Sequence, residues 1–140
     1  MFEGILLAVD GSEHSIHAAK EAGDLARAMN SKVVRIVIAY DGIPPYLGEP
    51  NLQQAIDARM KEANAILQKA QDAVGKIPGE IHTELIEGPA AEAIINVAKT
   101  RGSTVIVMGS RGLSTIAELV LGSTSHKVVS HASCPVLIVR

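Results

Sequence analysis

Glycines stand at 109, 112 and 122, and three hydroxyl residues, Ser123, Thr124 and Ser125, follow the last of them. Without a Cβ, glycine lets backbone N–H groups approach a ligand closely and reaches positive φ without strain. Hydroxyls in the first turn of a helix add donors to the free N–H groups gathered there, and the helix dipole favours negative charge at that end. Such a segment suits the holding of an anion, and a polyphosphate fits it best. Taken singly, each glycine reads as a tight turn and Ser123 as a plain N-cap. The spaced set, placed directly after the apolar run 104–108, is what points to phosphate. A second apolar run stops at Asp10, Gly11 and Ser12, which brings a carboxylate to another strand end.

Two other phosphate motifs are absent. No GxxxxGK[ST] occurs, so no P-loop lysine reaches the phosphates, and the DGSEH after the first strand is not GxGxxG. General-base hydrolysis of a phosphoanhydride needs a carboxylate or histidine near the γ-phosphate. Asp10 is the candidate in the expected crevice, and contact with a ribose or with metal-bound water suits it better. Arg111, between two turn glycines, reads either as a phosphate contact or as a solvated side chain. His14 and His17 lie three apart, His126 and His131 five apart, and neither pair brings a third ligand. Surface or helix-end roles are therefore expected for them rather than metal binding. The single cysteine, Cys134, excludes an internal disulfide framework and reads as an inert buried thiol beside an apolar strand.

These residues need elements to position them. Apolar runs at 2–9, 33–40, 81–86, 104–108 and 136–139 read as strands. Between them lie helical patterns: 12–30 with Ser12 as N-cap, a long amphipathic stretch from 51 to 74, 88–101 with Pro89 in its first turn, and 123–131. In the first helix Ile16, Ala19, Gly23, Ala26 and Met29 are expected to face the core. In the long helix the facing set is Leu52, Ile56, Met60, Ala63, Leu67, Ala70 and Val74. Residues 41–50 form a loop rich in turn formers. Alternation of strand and helix implies βαβ crossovers and a mainly parallel sheet. The expected fold is α/β: an open five-stranded parallel sheet, order 3-2-1-4-5, with helices on both faces. That order sets the ends of the first and fourth strands side by side at the switch point, where ligands bind in such sheets.

Composition agrees with this plan. The 140 residues suffice for one domain, spanning 1–140. Apolar residues make up 47% and aromatics 2%, so Val, Ile, Leu and Ala must build the core. A net charge of −2 without a basic cluster gives no footprint for nucleic acid. No run approaches the roughly 20 apolar residues of a membrane span. The run from Ile5 to Val9 is too short for a signal-peptide core. A cytoplasmic protein without membrane insertion is expected.

The spacing Gly-x2-Gly-x9-Gly-Ser, read as GSRG (109–112) and GS (122–123), resembles the ATP-binding signature of the universal stress protein family. The likeness covers the whole chain through ILLAVDGSEHS, EGPAAEAI, VIVMGSRG and HASCPVLIVR. It implies a Rossmann-like, adenine nucleotide alpha hydrolase-like fold, a homodimer joined through the C-terminal strand, and ATP (or AMP or ADP) as ligand. Carried over, Ala8, Val9 and Asp10 line the nucleoside side, and Ala39 contacts adenine through its backbone. Met108 and Gly109 flank the ribose, and Gly112, Gly122, Ser123, Thr124 and Ser125 surround the phosphates. Mg2+ or Mn2+ is held mainly by the phosphates and water. The chain departs from the family in having Thr104 where Asp is common and Ile38 where His is common. Thr104 is expected far from the crevice, and Ile38 is expected to point away from a ligand that Ala39 faces.

The expected function is a nucleotide-binding regulatory, stress-response module with slow or absent ATP hydrolysis, signalling to a partner that the sequence does not name. Two alternatives stand beside it: an enzyme of the same architecture that hydrolyses ATP or adenylates a small substrate, and a nucleotide-independent dimer. The first needs a second pocket, for which 140 residues leave little room. The intact glycine signature argues against the second.

Overall fold

The computed structural model describes residues 1–42, 45–111 and 121–140. The chain forms β1 (Gly4–Ala8), α1 (Glu13–Met29), β2 (Val33–Tyr40), a short 3-10 turn (Pro45–Leu47) and α2 (Asn51–Val74). There follow β3 (Glu80–Glu87), α3 (Ala90–Arg101), β4 (Val105–Gly109), α4 (Ser123–His131) and β5 (Val136–Val139). The strands form one sheet in the order β3-β2-β1-β4-β5, every neighbouring pair parallel. Order, direction and the helices on both faces agree with the expectation.

Strand alternation splits the core in two. Ile5 and Leu7 of β1 pack with Ile36, Val107 and the buried faces of α1 and α2. Leu6 and Ala8 point the other way, into Ile106, Met108, α3 and Val128 of α4. Buried on both faces, β1 reads as an unbroken apolar run rather than an alternating one. The near-absence of aromatics is met by small residues at close helix contacts. Ala18, Ala19, Ala22 and Ala26 of α1 are fully buried, and a Cβ at Gly23 would overlap the carbonyl oxygen of Val74, at the end of α2.

Five expected core assignments change. Ile16 is only half-buried and Met29 is 42% exposed, while Ala18 and Ala22 are buried instead. Ile16 lies at the rim of the buried stripe, and Met29 is the last helical residue before Asn30 turns left-handed at φ 53°. In α2 burial begins at Ala63, and Leu52, Ile56 and Met60 are half-buried. The Pro45–Leu47 turn packs against this helix, which also meets β2 and β3.

Candidate functional site

The register places the ends of β1 and β4 together, with Ile5, Leu6 and Leu7 opposite Val105, Ile106 and Val107. Beyond β1 the chain turns sharply. The Asp10 carboxylate accepts from the Ser12 N–H at 2.9 Å, which closes an Asx turn. Gly11 sits at φ +87°, a conformation side chains rarely adopt, with α2's Ile66 only 3.1 Å from where a Cβ would stand. Ser12 then caps α1, its Oγ accepting from the Ser15 N–H at 3.2 Å. The expected N-cap is present. The need for glycine at 11 was not anticipated, although DG after a strand is a turn signal.

Beyond β4 the Ser110 carbonyl gathers two donors, the Gly122 N–H at 2.7 Å and the Ser125 hydroxyl at 2.8 Å. Ser110 itself donates from its N–H to the Val139 carbonyl at 2.7 Å. These bonds fasten the start of α4 to the end of β4. Gly112 lies outside the described residues. Gly122 occupies the N-cap position of α4 with extended backbone (φ −72°, ψ 169°) and supplies no side-chain cap. Ser125 is buried with its hydroxyl spent on carbonyls, whereas Ser123 is exposed and Thr124 half-buried.

Gly109 departs from its expected use. Its φ lies outside the positive region, and an added Cβ would stand 2.8 Å from His14 Cβ and 2.9 Å from the His14 carbonyl carbon. Its missing side chain admits the first turn of α1 rather than a left-handed turn. The same contact brings His14 into the site, which the sequence reading assigned to a surface or helix end. His14 Nδ1 lies 2.9 Å from Ser110 Oγ, and Arg111 Nη2 lies 3.4 Å from His14 Nε2. Ser110, inside the GSRG signature and 3% exposed, was likewise passed over.

The remaining expected residues fall as follows. Ala8, Val9 and Met108 are buried at the ends of their strands. Ala39 is half-buried beside Ile86 of β3, on the face opposite to Ile38, whose side chain is in the α1–α2 core. Thr104 precedes β4 at the far end of the sheet, where its Oγ1 donates to the Gly4 carbonyl at 3.1 Å. A depression of about 490 Å3 also lies at that far end, between Ser31–Lys32 and Pro78–Gly79, away from Asp10 and the glycines. Burial raises the Cys134 thiol pKa above its ordinary value. Among the described residues no three His, Cys, Asp or Glu side chains converge on a metal position, and no helix is long and apolar enough to cross a membrane.

The model of the universal stress protein family matches residues 1–140. The chain belongs to the universal stress protein family. A Thermus aquaticus universal stress protein, described as lying in the QAH/OAS sulfhydrylase 3′ region, is 43% identical over 140 residues, with 100% of each chain covered. Among solved structures, the universal stress protein UspA from Lactobacillus plantarum is 27% identical with a TM-score of 0.86, covering 99% of this chain and 98% of that one. A universal stress protein solved in complex with cAMP is 28% identical with a TM-score of 0.70, covering 99% and 97%.

Proposed function

We propose that this universal stress protein binds an adenine nucleotide, ATP with Mg2+ or Mn2+ or else ADP or AMP, in the crevice between Asp10 and the 109–125 segment. The observation that carries the reading is the fastening of α4 to β4 through Ser110. It sets an uncapped helix start, with its N–H groups, Ser123 and Thr124, at the end of β4. Uncapped N–H groups at a helix start favour phosphate oxygens. The relative in complex with cAMP supports the nucleotide class. In this reading Ala8, Val9, Asp10 and the Ala39 backbone take the nucleoside, and Met108 and Gly109 offer backbone to the ribose. Arg111, Gly112, Gly122, Ser123 and Thr124 face the phosphates, with Ser125 fixing the helix start. A bound divalent cation neutralises phosphate charge and is held by the phosphates and water.

Asp10 is engaged in its Asx turn, and the P-loop GxxxxGK[ST] lysine is absent, so hydrolysis is slow or absent and the bound state acts as a signal. The protein works as a cytoplasmic homodimer joined through β5. Gly122→Val tests the site directly. The extended backbone at 122 accommodates valine, so the substitution adds bulk where phosphate would approach without imposing strain. Calorimetry is expected to show ATP binding lost while far-UV circular dichroism is retained. Undiminished affinity in the folded variant would remove the phosphate assignment.

A further inference from the structure

A polar chain crosses from α1 to the loop after β4. Arg111 Nη2 donates to His14 Nε2 at 3.4 Å, and His14 Nδ1 meets Ser110 Oγ at 2.9 Å. A guanidinium carries donors only, so Nε2 accepts, and Nδ1 holds the hydrogen that it donates to Ser110 Oγ. We propose that His14 is a positioning residue for the phosphate end of the site, steering the Arg111 guanidinium toward the ligand while Ser110 fixes the ring. The inference rests on the nucleotide reading given above.

The ring is anchored at both ends. Its backbone is seated against Gly109, where even a methyl group would collide with it. Its Nδ1 partner, Ser110, is 3% exposed and held through its N–H by Val139 and through its carbonyl by Gly122 and Ser125. Nε2 therefore presents an acceptor at a fixed point one residue further along the loop. A guanidinium has five N–H donors, so one directed at His14 is compatible with a two-pronged contact to phosphate oxygens. Ordering a long side chain before the ligand arrives removes an entropy cost from binding. An anchored imidazole contributes to that order.

Titration calorimetry of ATP and of adenosine with the wild type, His14→Gln, His14→Asn and Arg111→Ala tests the role. Glutamine carries an acceptor to roughly where Nε2 stands, and asparagine reaches only to Nδ1. His14→Gln is expected to bind ATP within about threefold of the wild type. His14→Asn and Arg111→Ala should each bind it about tenfold more weakly, the worth of one hydrogen bond to a charged group. Combining His14→Asn with Arg111→Ala should add no further loss, and adenosine affinity should be unchanged throughout. Equal ATP affinity in the glutamine and asparagine variants, or a parallel loss of adenosine binding, would overturn the positioning role and leave the nucleotide reading standing. A wild type that binds neither ligand would remove the nucleotide reading, and this inference with it.

Discussion

At Gly109 a methyl group would press on the Cβ and carbonyl carbon of His14, both within 3 Å. Neither atom is the tip of a flexible side chain, so relief requires α1 to slide along the sheet. Overpacking of that kind costs about 1–3 kcal/mol. Gly109→Ala is therefore expected to lower the urea midpoint by an equivalent amount, and an unchanged midpoint would show that the first turn of α1 has room to move. The same glycine shows where sequence reading stops. Its position after an apolar strand was legible and pointed to the carboxyl end of the sheet. Its reason was not, because the colliding atoms belong to a residue far away in the chain that only the closed fold brings near. Ser12 was legible for the opposite reason, since an N-cap is read from neighbouring residues.

Among the elements, β2, β3 and α3 share one carboxylate. Glu84 of β3 lies 2.7 Å from Arg35 of β2 and 3.0 Å from Arg101, the last residue of α3. The Arg35 and Glu84 side chains are only 16% and 17% exposed, so their contact is shielded from bulk water, while the half-exposed Arg101 adds little. Removing the charge leaves two arginines facing a neutral amide. Glu84→Gln is expected to destabilise the protein by about 1–3 kcal/mol, as for a partly buried charged hydrogen bond. Denaturation of Glu84→Gln, Arg35→Met and the double variant checks this, and additive losses would show that the pair does not interact. The strands and their parallel direction were legible from apolar runs and alternation, whereas their order rested on an assumed topology. This triad was not, since it depends on a register that apolar patterning leaves open.

On the scale of the whole molecule, β5 stands at one edge with only β4 beside it. Leu137 is 39% exposed there, and the other strand residues are half-buried. Such an edge, with no charge inside the strand, invites pairing with another strand. A second copy related by a two-fold axis would satisfy it through antiparallel contact around Leu137 and Ile138. Sedimentation is expected to find a dimer at micromolar concentration, and Ile138→Pro should yield monomers or aggregates by deleting a donor. A monomeric wild type would show that another element covers this edge. The opposite edge, β3, carries Glu80, His82, Glu84 and Glu87, and charge there discourages pairing.

The middle position of β1 also bears on how the protein is made. Ile5 has one strand partner close in the chain, Val34, and one made much later, Val105. At roughly 5–20 residues per second the opening strand waits several seconds with one side open. Its Ile5, Leu6 and Leu7 are apolar toward both faces, so the nascent chain carries its stickiest segment longest without its final neighbours. Closure of that gap and creation of the crevice are a single event, because β4 supplies both. A growing chain therefore lacks the crevice, and until β4 is made β1 has β2 beside it and α1, α2 and α3 over its faces.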